Sequence, residues 1–369
     1  MILGLFPELS APGGIQRSSC LTALALRSFA AARGETSWFV SLKDSAEKRS
    51  VTAAGHEIPF TGCGGSKSLF LSHALGLAIR QPSLVVALHP NLAPVAIAMK
   101  LLAPGMNTVV VVHGVEVWTP LPFLQRLALQ SADRVIAPSQ DTFSRTLKEQ
   151  RVRSAKMRKL AWSLGPEFNE CKPLLAPASR PANFPSGRII LTVGRWDASE
   201  AYKGVDHLIA AMPVLLKEFP DVQLAAVGEG TDLPRLRALA RESGASDHIH
   251  FLPFIVHDQL PNAYDACEIF AMPSRGEGFG LVFIEAMARA RPAIGGAHGG
   301  TPDVIDDGKT GFLVSYGDVN QLVDRLKRLL ASERLRREMG VAALDKVKHE
   351  FTFTRFSSDL AAILTELCE

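Results

Sequence analysis

Two glutamates, Glu277 and Glu285, flank a glycine-rich turn with seven residues between them. Residues 268–272 form an apolar run typical of a buried strand, and residues 281–289 have the pattern of a helix. The turn is therefore expected at the carboxyl end of a strand, where open α/β sheets bind ligands. Glu277 would lie on this turn and Glu285 on the first turn of the helix, so both carboxylates could accept hydrogen bonds from hydroxyl groups.

The same turn offers backbone N–H groups to an anion. Gly278 and Gly280 have no side chains, and the N–H groups of Leu281 and Val282 at the helix start have no intrahelical acceptor. These groups lie at the positive end of the helix dipole, where a diphosphate would fit. With carboxylates that can bind sugar and ribose hydroxyls, the turn indicates a sugar-nucleotide site. The alternative is that both glutamates are solvated charges favoured by the helix dipole.

Further candidates follow other predicted strands. The Gly13-Gly14 turn opens a helix and could approach a phosphate or sugar closely, or could be a simple tight turn. It lacks the third glycine of a dinucleotide fingerprint, which argues against NAD. Arg195 and Lys203 lie on neighbouring loops, where they could neutralise the β-phosphate of a nucleoside diphosphate or simply be surface charges. His113 ends a valine-rich strand, a position where a histidine is more often structural.

The length and composition indicate a folded protein of two domains. At 369 residues the chain is too long for one ordinary core, and its 47% hydrophobic and 21% charged residues are near globular averages. The five cysteines form no C-x-x-C pair, which predicts neither a zinc site nor a disulfide framework and favours the cytoplasm. The net charge of +3 is too small to indicate nucleic acid as a partner.

No membrane-spanning segment is predicted. Residues 1–8 are apolar but short and lack a basic leader, so we interpret them as the first strand rather than a signal peptide. The longest other candidate, residues 92–103, is interrupted by Lys100 and by prolines. Residues 145–159 contain seven basic residues and one acid. This basic segment is either a solvated helix and loop or a contact with an anionic membrane or acceptor.

Short apolar runs alternate with helical segments, which specifies parallel sheets covered on both faces. The predicted later strands are residues 84–88, 108–112, 134–137, 189–193, 223–227, 249–252, 269–272 and 292–295. The alternation breaks in the proline-rich residues 165–187, which are a linker by composition. We therefore predict an N-terminal domain at about residues 1–170 and a C-terminal domain at about residues 186–351.

The segment that holds the two glutamates resembles the signature of the retaining glycosyltransferases of family four, or glycosyl transferases group 1. The flanking residues 273–275 and 299–303 also match that family. In the first half of the chain the resemblance rests on the glycine pair, His113 and residues 132–139. Residues 164–168 depart from the family, because they replace the Asn-Gly-Val-Asp turn of many relatives.

This resemblance implies the GT-B architecture, an α/β fold of two Rossmann-like domains with the donor site in the interdomain cleft. Residues 1–170 would bind the acceptor, residues 186–351 would bind the sugar nucleotide, and the C-terminal helix at 352–369 would pack back onto the first domain. The implied enzyme is a retaining hexosyltransferase that needs neither metal nor cofactor. Its donor would be a nucleoside diphosphate sugar, UDP before GDP, and its acceptor a glycan or a lipid-linked molecule of cell-envelope or polysaccharide synthesis. It would be cytoplasmic, or peripheral at the inner face of the membrane.

For the second domain, the resemblance assigns Glu277 to the 3- and 4-hydroxyls of the sugar, with backbone donors from Phe279 and Gly280. Glu285 would hold the ribose. The base is expected to pack on residues 251–256, whose backbone groups could read its edge.

The remaining roles concern the diphosphate and the reacting sugar. Arg195 and Lys203 would stabilise the leaving diphosphate, which the glycine pair would also face. His113 would bond the hexose 6-hydroxyl or form a polar wall at the anomeric centre. The predicted catalytic residues are Glu277, His113, Arg195 and Lys203. The predicted donor-binding residues are Gly13, Gly14, Phe254, Ile255, Phe279, Gly280, Leu281, Val282 and Glu285.

Two other functions remain open. A UDP-sugar epimerase of the same architecture should show additional acid or base carboxylates in the first domain, and no such pair is evident. A sugar-nucleotide-binding subunit without activity is the non-enzymatic alternative, and a donor hydrolysis assay would separate it from an enzyme.

Overall fold

The computed structural model describes residues 1–11, 13–165, 181, 183–255 and 259–368. It divides into two compact units. The first contains Met1–Glu167 and Phe351–Glu369, and the second contains Phe168–Glu350. Most of the predicted linker, 165–187, and Cys171 within it lie outside the described residues.

The first unit is built on a parallel sheet that, among its described residues, has seven strands in the order β5-β2-β1-β6-β7-β8-β9. A separate antiparallel hairpin pairs β3 with β4. The strands are β1 (Ile2–Phe6), β2 (Ser37–Ser41), β3 (Ser50–Ala53), β4 (His56–Pro59), β5 (Thr61–Gly62), β6 (Leu84–Ala87), β7 (Asn107–Val111), β8 (Arg134–Ala137) and β9 (Met157–Lys159). The interior strands are apolar and almost fully buried, as expected when helices cover both faces of a parallel sheet.

Helices of the first unit follow the strands along the chain. They are α1 (Gly14–Ala32), α2 (Lys67–Ala78), α3 (Ala93–Leu102), α4 (Phe123–Ser131) and α5 (Gln140–Gln150). The Ser66 and Ser139 hydroxyls cap α2 and α5 by accepting backbone N–H groups of the first turn. The C-terminal helix, Phe353–Cys368, packs against α1 within this unit. The Asn107 side chain anchors its end by donating to the Leu367 carbonyl at 2.7 Å.

The second unit has a parallel sheet of six strands in the order β12-β11-β10-β13-β14-β15, counted over its described residues. The strands are β10 (Arg188–Val193), β11 (Val222–Val227), β12 (Ile249–Leu252), β13 (Ile269–Met272), β14 (Ala293–Gly296) and β15 (Gly311–Val314). The strand order reverses between β10 and β13, which are neighbours in the sheet. Ligands of open α/β sheets bind at such a reversal, outside the carboxyl ends of the strands.

The helices of the second unit cover this sheet with apolar faces. They are α6 (Val205–Leu215), α7 (Leu233–Glu242), α8 (Leu260–Ala266), α9 (Leu281–Ala288), α10 (Thr301–Val304), α11 (Val319–Ala331) and α12 (Glu333–Glu350). On α11, for example, Leu322, Leu326 and Leu329 recur at helical spacing and are buried in the core. Within the described part of the chain, no helix combines the length and apolarity needed to cross a membrane.

Candidate functional site

The loops that follow β10 and β13 meet at the strand-order reversal of the second unit. Arg195 follows β10, and Glu277 follows β13. The Arg275 N–H donates to the Tyr202 carbonyl at 2.7 Å, which ties the two loops together. Gly204, in the left-handed region at φ +76°, lies so near this junction that a Cβ would be 2.5 Å from the Pro273 carbonyl oxygen. The backbone therefore holds the loop that carries Arg195 and Lys203 beside the loop that carries Glu277.

Glu277 has the most unusual environment in this loop pair. Its carboxyl Oε1 is shielded from solvent and has no hydrogen-bond partner among the described residues. Burial raises the pKa of Glu277 to about 7, the positive charge of Lys203 opposes the rise, and the negative charge of Glu200 adds to it. A buried carboxyl oxygen without a partner is costly to keep in a folded protein, which makes Glu277 a candidate for contact with a ligand.

A third loop, after β14, fixes the backbone of Glu277. The Gly300 N–H donates to the Glu277 carbonyl at 2.6 Å, and Gly299 pairs with Glu277 as an isolated parallel bridge. Gly299 has a φ of +67°, and a Cβ there would lie 2.5 Å from the Glu277 carbonyl oxygen. Only glycine satisfies both the backbone conformation and this close approach.

Arg195 and Lys203 share one carboxylate. Glu200 Oε1 accepts from the Arg195 guanidinium, and Glu200 Oε2 lies 2.5 Å from Lys203 Nζ. Lys203 Nζ also donates to the Arg195 carbonyl at 3.2 Å and lies 5.9 Å from the Trp196 ring centroid. The side chains of Lys203 and Glu200 are 13% and 14% exposed, whereas that of Arg195 is 73% exposed. The two predicted cations therefore form one charge cluster with Glu200.

The start of α9 completes this arrangement. Gly280 precedes the helix in the left-handed region at φ +94°, and no side chain caps the helix. Leu281 and Val282 are its first two residues, so their N–H groups have no acceptor within the helix. A Cβ at Gly280 would lie 2.6 Å from a ring carbon of Phe283, which packs below the turn. The buried Ser274 hydroxyl, two residues beyond the end of β13, also has no partner among the described residues.

Glu285 departs from its predicted position. The helix begins at Leu281, as predicted, so Glu285 is the fifth residue of α9 and lies on the second turn rather than the first. Its side chain is 4% exposed, and its Oε2 accepts from the Tyr264 hydroxyl at 2.6 Å. Its role as the ribose ligand stays a prediction.

The residues predicted to contact the base lie farther along the sheet edge. Phe254 and Ile255 follow β12, which is separated from β10 by β11 and is therefore about 10 Å away at ordinary strand spacing. The Phe254 side chain is 50% exposed. Val256, the last residue of the predicted segment, lies outside the described residues.

In the first unit, His113 lies in an aromatic stack. Its ring is parallel to that of Trp162 at 5.4 Å and to that of His89 at 6.1 Å. The His113 Nε2–H donates to the Leu88 carbonyl at 2.6 Å, because a carbonyl can only accept. Burial lowers the pKa of His89 to about 4, and the neighbouring His113 contributes to this shift. His113 is thus positioned by its backbone acceptor and by two rings.

The glycine pair lies at the start of α1 in the same unit. Gly13 has a φ of +149°, and Gly14 is the first helical residue. The loop before it is fastened by Asp44, whose carboxylate accepts the Leu9 N–H at 2.7 Å and the Ser10 N–H at 3.1 Å. These bonds, with those from serine hydroxyls, hold the pKa of Asp44 below its usual range against the effect of burial.

The structure thus brings together Arg195, Lys203, Glu277 and the start of α9, while it places Phe254 and Ile255 apart from them. Sequence reasoning missed Glu200, although its spacing three residues before Lys203 suits an ion pair on one helical turn. It also missed Trp162, for which the sequence offered no signal. In the described ranges, no group of three or more His, Cys, Asp or Glu side chains is placed to hold a metal ion.

Comparisons with known proteins identify relatives that match part of the chain. The family described as "Glycosyl transferases group 1" matches residues 179–346. A GDP-mannose-dependent alpha-(1-6)-phosphatidylinositol monomannoside mannosyltransferase of Mycolicibacterium smegmatis is 39% identical over 147 residues, 38% of this chain and 38% of that protein. A D-inositol 3-phosphate glycosyltransferase of Corynebacterium jeikeium is 37% identical over 160 residues, 42% of this chain and 38% of that protein. The chain thus matches well under half the length of these curated relatives.

Solved structures resemble the whole chain. Anabaena HepE in complex with UDP has a TM-score of 0.80 at 19% identity, with 99% of each chain covered. Sucrose-phosphate synthase from Thermosynechococcus elongatus also has a TM-score of 0.80, at 21% identity, with 99% of this chain and 98% of that chain covered. The predicted fold of two α/β units with parallel sheets, the GT-B fold, is confirmed.

Proposed function

We propose that the protein is a retaining hexosyltransferase, because residues 179–346 match the glycosyl transferases group 1 family that the sequence resembles. It transfers a hexose from a nucleoside diphosphate sugar to an acceptor hydroxyl. The observation that carries this proposal is the convergence, at one strand-order reversal, of two cations, an uncapped helix start and a buried carboxyl oxygen without a described partner.

The proposed chemistry follows the charges in the second unit. Arg195, Lys203 and the first N–H groups of α9 bind the diphosphate, and Glu277 accepts hydrogen bonds from the sugar hydroxyls. The bond between the anomeric carbon and the phosphate oxygen breaks as the acceptor oxygen bonds to that carbon on the same face. The acceptor proton passes to a phosphate oxygen, so no protein nucleophile is needed. The two cations supply the charge stabilisation that a metal ion would otherwise supply, so we propose that transfer is metal-independent.

The donor and acceptor are proposed from the relatives. The sequence favoured UDP over GDP, but the names of the mycobacterial and corynebacterial relatives favour GDP-mannose and an inositol-containing lipid acceptor. The structural resemblance to a protein in complex with UDP keeps UDP-hexoses as the second donor class to assay.

The test is nucleotide release from GDP-mannose and UDP-glucose, with and without a phosphatidylinositol acceptor. Glu277→Ala should slow transfer about 30- to 1,000-fold, since a hydrogen bond to a charged group in the transition state is worth roughly 2–4 kcal/mol. Binding of the nucleoside diphosphate should hardly change. Glu218→Ala, which removes an exposed glutamate paired with Lys327, is the matched control. Activity of the unaltered protein should persist in excess chelator.

Four outcomes would contradict the proposal. An unchanged rate in Glu277→Ala removes Glu277 from the site, and loss of activity in chelator with recovery in magnesium refutes the metal-free mechanism. Donor binding without any nucleotide release would favour the non-catalytic binding subunit. Conversion of a UDP-sugar without an acceptor would favour the epimerase.

A lipid acceptor would also require contact with a membrane, and the first unit offers a surface for it. Phe123 and Leu124 on α4 are each 68% exposed, and Leu127, one turn on, is 48% exposed. Exposed apolar side chains grouped on one helix are typical of an interaction surface. We call Phe123, Leu124 and Leu127 the α4 patch.

The basic segment, residues 145–159, lies against α4, and several of its basic side chains already have partners. Arg145 pairs with Asp141, Arg158 pairs with Glu366, and Lys156 donates to two backbone carbonyls at the end of α4. Arg151 and Arg153 are exposed and have no acidic partner in the described structure. The buried Gln150 joins them to α4, because it accepts the Leu121 N–H at 2.9 Å and its carbonyl accepts from Gln130 at 2.8 Å. We propose that the α4 patch and these two arginines contact an anionic membrane together.

Vesicle binding tests this contact. Phe123→Ser with Leu124→Ser should weaken binding to anionic vesicles at every salt concentration, whereas Arg151→Gln with Arg153→Gln should weaken it mainly at low salt. Leu101→Ser with Val341→Ser, at two other exposed apolar positions, is the control pair. Equal vesicle binding by all four proteins would leave the basic segment as a solvated surface.

A further inference from the structure

Glu200 occupies the position between the two predicted phosphate-binding cations. One carboxylate oxygen accepts from Arg195 and the other from Lys203, so the carboxylate bridges the two charges as a phosphate group would. Two cations at one point repel each other, and a carboxylate between them keeps them together when no ligand is bound. Without Glu200, the positive charges of Arg195 and Lys203 would not be neutralised in the free protein.

We propose that Glu200 is a built-in counter-ion, which holds the place of a donor phosphate and gives up Arg195 to the diphosphate when a nucleotide binds. The inference rests on the proposed function and adds to it a residue that sets the affinity for the nucleoside diphosphate. Its consequence is that the free protein already contains an anion competing with the ligand.

The exposed fractions of the three side chains indicate which of the two ion pairs with Glu200 can break when a ligand binds. Lys203 is 13% exposed and has a second acceptor, the Arg195 carbonyl at 3.2 Å, so its ammonium group is held in place. Glu200 is 14% exposed and is similarly confined. Arg195 is 73% exposed, so its guanidinium can turn from Glu200 to a phosphate oxygen while its backbone stays fixed. Lys203 has three N–H donors, so it can keep Glu200 and the Arg195 carbonyl and still donate to a phosphate.

The charge of the bound nucleotide changes during transfer, and this change affects its competition with Glu200. The diphosphate gains negative charge when its bond to the sugar breaks, so the product is attracted to the cations more strongly than the donor is. A carboxylate that remains beside Lys203 repels the product and competes for Arg195. Glu200 therefore favours release of the nucleoside diphosphate after transfer, at the expense of tight binding.

Glu200→Gln tests the proposal because glutamine keeps the shape and the acceptor oxygen but removes the charge. The dissociation constants of GDP and of inorganic pyrophosphate should fall roughly three- to tenfold, as expected from the loss of one nearby, partly screened like charge. Inhibition of transfer by GDP should strengthen by a similar factor. Glu200→Asp, which keeps the charge, should bind GDP no more tightly than the unaltered protein.

Glu218→Gln is the matched control, since it removes the same charge from an exposed ion pair with Lys327, and it should leave GDP binding unchanged. GDP binding that is equal or weaker in Glu200→Gln would overturn the proposal and leave Glu200 as a residue that only holds the cations. Binding of neither GDP, UDP nor pyrophosphate by the unaltered protein would refute the proposed function itself.

A structure of the unaltered protein with GDP provides a test that does not depend on the folding of a variant. The Arg195 guanidinium should lie on a phosphate oxygen and beyond hydrogen-bond distance of Glu200, with Lys203 still paired to Glu200. An Arg195 that still bonds Glu200 in that complex would overturn the proposal.

Discussion

At the scale of single residues, the environment of Glu277 explains both why this residue destabilises the folded protein and how it would contribute to ligand binding. Its loop is held by backbone bonds from the next loop, and its Oε1 is shielded from solvent without a partner among the described residues. The positive charge of Lys203 opposes the effect of burial on the Glu277 pKa, and the negative charge of Glu200, which pairs with Lys203, adds to that effect. A sugar hydroxyl that donates to Oε1 would supply the missing partner.

The raised pKa of Glu277 predicts a pH-dependent stability. The folded protein keeps a proton on Glu277 up to about pH 7, whereas the unfolded chain releases it at about pH 4.5. The free energy of unfolding should therefore fall as the pH rises through this window. Glu277→Gln lacks this proton, so its stability relative to the unaltered protein should increase from about pH 5 to about pH 8.

Urea unfolding of both proteins at the two pH values measures this difference, with Glu218→Gln as a control that should show no such trend. A stability difference between Glu277→Gln and the unaltered protein that is constant with pH would contradict the raised pKa.

At the scale of elements, glycines allow the loops after β13 and β14 to approach each other. A Cβ at Gly299 would lie 2.5 Å from the Glu277 carbonyl oxygen, and one at Gly300 would lie 2.4 Å from the Gly278 carbonyl oxygen. No side chain fits at these separations, so any substitution must move the Glu277 loop. The pair Gly299-Gly300 therefore acts on the site without contacting a ligand.

Gly299→Ala should consequently destabilise the second unit and slow transfer. Gly308→Ala is a close control, because Gly308 has a φ of +77° against +67° for Gly299 but open space around its Cα. The control should lose about 1 kcal/mol from the left-handed conformation alone, and Gly299→Ala should lose about 2 kcal/mol more from the clash. Denaturant unfolding measures both, and equal losses would show that the loops are not in close contact.

The sequence predicted the buried parallel strands well, because short apolar runs that alternate with helical segments are typical of such strands. It missed β2, which pairs with both β1 and β5, and β5, which is two residues long. It also missed β9, which is Met-Arg-Lys, and the half-exposed hairpin of β3 and β4. Their pairing depends on neighbours distant in sequence, and no local pattern records it. β15 (Gly311–Val314) was also missed, although it is as long as β13 and β14, which were predicted.

The candidate site was predictable where a residue's role follows from its own strand end. Arg195 and Glu277 each follow a recognisable strand, Lys203 precedes a recognisable helix, and the parallel sheet brings its strand ends to one edge. Glu200 was missed as their partner, because its spacing from Lys203 suits an ion pair only on a helical turn, and the residues between Arg195 and Lys203 have no clear periodicity that predicts their 3-10 turn. Glu285 was placed on the first turn of α9, but it is the fifth residue from the predicted helix start and lies on the second turn, and its bond to Tyr264 is a tertiary contact that no local pattern predicts.

At the scale of the whole molecule, the chain returns to its first unit at its end. The C-terminal helix buries Phe356, Leu360, Ile363 and Leu364 within that unit, where it packs on α1. Burying four such side chains contributes about 6–12 kcal/mol, which is comparable to the entire stability of a typical domain. The first unit thus depends on residues that are more than 180 positions from the rest of its chain.

Removal of residues 353–369 should therefore unfold or greatly destabilise the first unit while the second unit keeps its core. Hydrogen exchange read by mass spectrometry should show lost protection in β1, α1 and β6, and unchanged protection in β10, β13 and α11. Leu364→Ala, at a fully buried position, should produce a milder form of the same pattern and cost about 2–5 kcal/mol, whereas Ser358→Ala, at an exposed position of the same helix, should have little effect. A loss of protection shared equally by both units would mean that they unfold as one cooperative body, and that the helix does not belong energetically to the first unit alone.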